Sequence, residues 1–200
     1  LNLLPHPRSL KRNAGVFVLP VRAALQLDPA LPYALVLLPV MERLQSATEA
    51  VGVDLRLSTS AVKRPLPAIR AFASPSAPKH PGGYSLEINA RGVSLGYHDE
   101  EGLRAGVATF RQLLREYGRK LPCLSIRDYP DFAARGVMLD VSRGRVPQLE
   151  TLFELASHLA DFKLNQLQLY TEHTFAYRHY PAVWRDWGPL TGRQIMLLDT

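Results

Sequence analysis

Residues 128–177 constrain this 200-residue chain more than any other stretch. They read D-Y-P-D-F-A-A-R-G-V-M-L-D-V-S-R-G-R, then a run with helical periodicity, then F-K-L-N-Q-L-Q-L-Y-T-E-H-T-F-A-Y. Residues 136–141 are almost continuously apolar, which predicts a strand buried on both faces, as in a parallel sheet. Residues 149–162 predict a helix with Leu152, Phe153, Leu155, Ala156, Leu159 and Phe162 turned inward. Residues 166–170 predict a second strand. The first strand runs out into Asp140, Val141, Ser142 and Arg143, the second into Tyr170, Thr171, Glu172 and His173. Polar groups at the ends of two successive buried strands, with a helix between them, are the layout of the functional rim of a β/α-barrel. Thr191 is a candidate N-cap for a further helix over 191–200. A whole barrel takes about 250 residues, so only its first two βα units are expected here.

The preceding residues have a different rhythm. Strands are expected at 15–19, 53–57 and 68–73. Residues 84–88 and 93–97 alternate around N-A-R-G and predict a hairpin. A helix over 32–51 would place Met41, Leu44, Ala47 and Val51 on one face, with Pro39 bounding or kinking it. The 74–83 segment, S-P-S-A-P-K-H-P-G-G, is a loop by composition. A helix over 102–117 carries Leu103, Val107, Phe110, Leu113, Leu114 and Tyr117 as one apolar stripe. Carboxylates at 99–101 suit its positive end, and Gly118 suits its stop. Between Pro122 and Pro130 no long regular element is expected. The fold class is therefore an α+β domain over 1–125, followed by the truncated start of a (β/α)8 TIM barrel over 126–200.

Composition excludes several functions. Lys and Arg number 24 against 18 Asp and Glu, a net +6, but no basic run exceeds two residues. Scattered cations describe a solvated surface rather than a nucleic-acid site. A single cysteine, Cys123, rules out an internal disulfide framework, and its apolar neighbours mark a buried structural thiol. No cofactor fingerprint, metal spacing, membrane-length apolar run or signal-peptide order is found, and the compartment is left open.

The segments L-L-P-H-P (3–7), Y-S-L-E-I (84–88), E-G-L-R-A-G-V-A-T-F-R-Q-L-L (101–114), I-R-D-Y-P-D-F-A-A-R-G-V-M-L-D-V-S-R (126–143) and K-L-N-Q-L-Q-L-Y (163–170) resemble family 20 glycoside hydrolases, the β-N-acetylhexosaminidases. The resemblance covers nearly the whole chain. It implies an α+β domain packed on a (β/α)8 barrel. It implies removal of terminal N-acetylhexosamine from glycans by substrate-assisted retaining hydrolysis, in which the sugar's own acetamido oxygen attacks the anomeric carbon. In that family an adjacent Asp-Glu pair on the fourth barrel strand orients the acetamide and donates the proton. The D-E pair of this chain, Asp99-Glu100, opens a helix of the first domain instead. No catalytic residue is therefore expected among these residues, and the chain alone is expected to be inactive. Its expected partners are an N-acetylhexosaminide substrate and the remainder of its own barrel.

The resemblance assigns Arg143 to sugar hydroxyls, for which a guanidinium offers rigid paired donors; the alternative is a structural ion pair with Asp140 or Asp128. Asp140 is either a substrate ligand or the group that orients Arg143. Arg135, before the first barrel strand, is expected to serve stability. Glu172 and His173 either contact substrate or hold the loop that follows them. The family's histidine-rich second strand is here Q-L-Y-T-E-H, with Gln168 and Tyr170 at the histidine positions. Tyr177, Trp184 and Trp187 either stack on a sugar or anchor a long loop. Two alternatives compete: another glycosidase family with the same accessory domain, and a non-catalytic glycan- or protein-binding module.

Overall fold

The computed structural model describes residues 1–27, 34–58 and 69–199. It separates into two compact units, Leu1–Ala133 and Ala134–Thr200.

Among the described residues the first unit is a seven-stranded mixed sheet with two helices. In chain order its elements are β1 (Ser9–Val18), β2 (Arg22–Leu27), α1 (Ala34–Glu49), β3 (Asp54–Ser58), β4 (Ile69–Ala73), β5 (Tyr84–Asn89), β6 (Gly92–Tyr97), α2 (Glu100–Tyr117) and β7 (Lys120–Asp128). The strand order is β1-β7-β5-β6-β4-β2-β3. The four strands from β1 to β6 pair antiparallel, and those from β6 to β3 pair parallel. Strict alternation in β5 and β6 buries Tyr84, Leu86, Ile88, Val93, Leu95 and Tyr97 and leaves Glu87 exposed. These side chains join Met41 and Leu44 of α1 and Leu103, Val107, Phe110 and Leu113 of α2 in one core. Full burial of each large apolar side chain contributes about 1.5–3 kcal/mol.

Helix α2 forms where the sequence places its signals. The Asp99 carboxylate accepts the Gly102 N–H at 2.8 Å and the Gly82 N–H at 3.0 Å, so one cap also fastens the loop before β5. Gly118, at φ 58°, ends the helix and returns its N–H to the Leu114 carbonyl. Pro39 lies inside α1, which runs on through it, so it does not bound the helix; residues 32–33 of that expectation lie outside the described residues.

Two strands were not foreseen. β2, R-A-A-L-Q-L, is short and rich in Ala, a weak strand former. β7 runs straight through Pro122, where a break was expected. At that point it pairs with β1 alone, since its ladder with β5 spans only Leu124 to Asp128. Proline is tolerated where one strand edge has no partner. β7 also carries Asp128 under the first unit's core. The Tyr84 hydroxyl donates to Asp128 at 3.1 Å and lies 2.6 Å from the Thr109 hydroxyl, and the Arg8 N–H donates to Asp128 at 3.2 Å.

The second unit runs β8 (Gly136–Asp140), α3 (Leu149–Asp161), β9 (Gln166–Tyr170), α4 (Pro181–Trp184) and α5 (Gly192–Asp199). β8 and β9 pair in parallel, with Asp140 level with Tyr170. The R-G and K-L-N motifs meet at the start of this pair. The Arg135 N–H donates to the Asn165 side-chain oxygen at 2.9 Å, and its guanidinium donates to the Lys163 carbonyl at 3.0 Å. Gly136 lies so close to Gln166 that a Cβ there would strike its carbonyl.

The expectation that β8 is buried on both faces is corrected: Val137 and Met138 are exposed. Among the described residues β8 has one strand partner, β9, and a two-stranded sheet cannot bury both faces. For the same reason Phe153 and Phe162, expected inward, are 42% and 45% exposed, while Leu152 is fully buried with Val141 and Leu190.

Candidate functional site

The groups singled out at the two strand ends are the last residue of a parallel strand, Asp140 or Tyr170, or follow it directly, where the backbone leaves the ladder. The turn after β8 is built by Asp140. Its carboxylate accepts the N–H of Ser142 at 2.9 Å and of Arg143 at 3.1 Å, and it pairs with the Arg143 guanidinium through Nε at 2.5 Å and through Nη2. These bonds favour the ionised form. The Ser142 N–H is the first cause that lowers the Asp140 pKa, followed by Arg143 and opposed by partial burial. The same carboxylate bonds hold Arg143 in place.

Arg143 keeps donors for another partner. Its Nε and Nη2 meet Asp140 and its side chain is 73% exposed, which leaves the Nη1 donors outside that pair. The guanidinium carbon lies 5.4 Å from the centre of the Tyr170 ring. Tyr170 in turn donates its hydroxyl to Glu172 at 2.8 Å, a bond that raises the phenol pKa. Asp140, Arg143, Tyr170 and Glu172 therefore form one connected polar surface.

Beneath it is a connection the sequence reading missed. Ser142 and Thr174 are buried, with their hydroxyls 2.9 Å apart. Ser142 Oγ accepts the Glu172 N–H at 2.6 Å, and Val141 N–H donates to the Tyr170 carbonyl. One serine thus ties the end of β8 to the end of β9. Its only sequence signal was a small polar residue directly before Arg143 at a strand end.

The remaining candidates divide. The His173 ring meets Trp187 edge to face at 4.7 Å between centres, and Trp187 is 60% exposed. Tyr177 packs edge to face on Phe175. Trp184 donates its indole N–H to the Tyr177 carbonyl at 2.9 Å, and a Phe175–Leu190 bridge closes the base of this loop. Trp184 thus anchors the loop, whereas Trp187 presents ring surface to solvent. A groove of about 600 Å³ runs along β9 between α3 and α5, lined by Leu159, Leu167, Leu169, Ile195 and Tyr177 among others. Arg143, Asp140, Glu172 and His173 do not line it. Among the described residues no three His, Cys, Asp or Glu side chains gather as a metal site, and no helix is long and apolar enough to cross a membrane.

Residues 1–129 match the family model described as glycosyl hydrolase family 20, domain 2. The chain belongs to glycosyl hydrolase family 20. It is 30% identical over 128 residues to the N,N'-diacetylchitobiase of Vibrio harveyi, an alignment covering 64% of this chain and 14% of that protein. Its fold matches the N-acetyl-β-hexosaminidase of Streptomyces plicatus with a TM-score of 0.77 at 19% identity, covering 98% of this chain and 42% of the other. It also matches the family 20 exo-β-N-acetylglucosaminidase of Vibrio harveyi, solved in complex with N-acetylglucosamine, with a TM-score of 0.73 at 21% identity over 92% and 28% of the two chains. The chain thus spans less than half the length of these family 20 relatives.

Proposed function

We propose that this chain is the first part of a β-N-acetylhexosaminidase that removes terminal N-acetylhexosamine from glycans by substrate-assisted retaining hydrolysis. In this reading residues 1–125 are the accessory α+β domain, and residues 126–200 open the (β/α)8 catalytic barrel. Supporting the barrel are the parallel β8–α3–β9 unit, the exposed apolar side chains of β8 and the apolar groove along β9. Each suits packing against further βα units.

The observation that carries the reading is Arg143, an exposed guanidinium held at a parallel strand end by an ionised Asp140. In the proposed mechanism Arg143 donates paired hydrogen bonds to hydroxyls of the terminal sugar, and Asp140 orients it. Glu172, positioned by Ser142 and Tyr170, accepts from another hydroxyl, and the exposed ring of Trp187 packs on an apolar sugar face with His173 behind it. The acetamide-orienting Asp and the proton-donating Glu are not assigned within residues 1–200, because Asp99 is committed to capping α2. The 200 residues by themselves are inactive in this reading.

The test is steady-state hydrolysis of an aryl N-acetyl-β-glucosaminide by the polypeptide that carries this chain within a complete barrel, with and without Arg143→Lys. Loss of the fork geometry lowers kcat/KM by roughly 10- to 100-fold, equivalent to one or two lost hydrogen bonds to a charged donor. Unchanged kinetics would remove Arg143 from the site. Absence of any hydrolysis by the parent would favour a glycan-binding module.

A further inference from the structure

The first unit has a second surface, on the side of its sheet away from α1 and α2. Strand register places two rows of side chains across it. One row is Lys11, Ser125, Glu87, Ser94, Arg70 and Gln26, and the other is Ser9, Arg127, Ser85, Gly96 and Phe72. The alternate rows, such as Leu10, Ile126, Leu86 and Leu95, point into the core. Lys11, Arg70, Arg127 and Glu87 are exposed, and Phe72 is 36% exposed. At about 4.8 Å per strand, the longer row crosses six strands in about 24 Å.

Charge on this surface is one-sided. Residues 1–133 hold 17 Lys and Arg against 11 Asp and Glu, a net +6, whereas residues 134–200 hold seven of each. The whole excess charge of the chain is therefore on the unit that carries this face. In the two rows three cations oppose one carboxylate, and β2 and β3 add Arg22, Arg56 and Asp54 to the same side of the sheet.

The spacing selects the partner. Lys11 and Arg70 lie four strands apart, roughly 19 Å, with Glu87 midway between them. Nucleic-acid phosphates recur about every 3.4 Å along a strand and need a denser cationic track without a central carboxylate. A protein interface of useful stability has an apolar or aromatic core, and here Phe72 is the one large apolar side chain in the two rows. What the rows do offer is Ser9, Ser85, Ser94, Ser125 and Gln26 for hydroxyl groups, guanidinium forks for carboxylates and one ring for an apolar sugar face.

We propose that this open sheet face binds an acidic polysaccharide, a linear chain with widely spaced uronate carboxylates, laid across the strands. Arg127 and Arg70 take carboxylates, Lys11 adds attraction at the edge, and the serines bond the sugar hydroxyls between them. The proposal does not depend on the glycosidase reading, because it uses residues of the first unit only.

The test is affinity electrophoresis of the 200-residue chain in gels containing polygalacturonate, with neutral dextran gels as reference. Polygalacturonate retards the chain. The pair Arg70→Ser and Arg127→Ser weakens apparent binding roughly tenfold, while Arg104→Ser with Arg115→Ser, the same charge change on α2 on the other side of the sheet, stays within about twofold. Glu87→Gln removes the central repulsion and strengthens binding roughly two- to threefold, a gain that misfolding would not produce. No retardation, equal losses in the two arginine pairs, no gain with Glu87→Gln, or stronger competition by duplex DNA than by polygalacturonate would each overturn the proposal.

Discussion

Tyr84 is the most consequential single side chain of the first unit. It is fully buried, and its hydroxyl joins α2, through Thr109, to the end of β7, through Asp128. Burial, and then the Asp128 charge, raise its pKa well above the ordinary phenol value near 10. The sign follows directly. The folded state keeps this proton after the unfolded chain has lost it, so the contribution is complete below pH 10 and declines above it. Tyr84→Phe is expected to cost about 1–2 kcal/mol at pH 7 through the lost hydrogen bonds. The deficit should shrink between pH 10 and 11, because the variant has no phenol to ionise there. Urea unfolding at pH 7, 9, 10 and 11 checks this, and a deficit constant across the series would sink the idea. At this scale the sequence was legible where chemistry alone marks a residue: Arg143 and Asp140 stand out as charges ending an apolar run. Ser142 and Thr174 did not, since their role arises from the parallel pairing of two strands 30 residues apart in the chain. Nor did Tyr84, which reads as one more apolar position in an alternating strand.

Helix α2 shows how element-level signals combine. Its stripe, acidic first turn and terminal glycine all point the same way, and the structure follows them. Asp99 does more than a cap usually does, because it also accepts the Gly82 N–H from the loop before β5. Asp99→Ala is therefore expected to cost about 1–2 kcal/mol, the upper part of the range for losing a cap. Asp99→Asn, which keeps an acceptor, should recover most of it. Thermal denaturation of the two variants tests this, and equal losses would mean that charge near the helix dipole, not the cap acceptor, is what matters. The elements misread from sequence share a cause. β7 and Pro122, β8 and its exposed face, and α3 with Phe153 and Phe162 are all decided by how many neighbours a strand or helix has. Local periodicity encodes which residues share a face, but not whether anything covers that face.

The two units differ in how much apolar surface they bury, and this sets the behaviour of the whole chain. The first unit packs a seven-stranded sheet on two helices around a continuous core. The second has Val141, Leu152 and Leu190 as its fully buried apolar cluster, and leaves Met138 and Met196 at 60% and 74% exposure. Local opening free energy follows buried apolar contact and protected hydrogen bonding. The 200-residue chain should thus open in two steps, the second unit first. Among the described residues its β8 and β9 ladder is held on one side per strand, so their amides lack the double cover that β5 receives from β6 and β7. Native-state hydrogen exchange should show residues 136–140 and 166–170 exchanging at least about 100-fold faster than 84–88 and 124–128, a difference near 2.7 kcal/mol. Within a polypeptide that completes the barrel, the same β8 and β9 amides should slow toward the rate of β5, because new strands would bury the faces that Val137 and Met138 now expose. Equal protection in the short chain would mean that the second unit is self-sufficient. The barrel reading would then lose its main energetic argument, while the family assignment, which comes from residues 1–129, would stand.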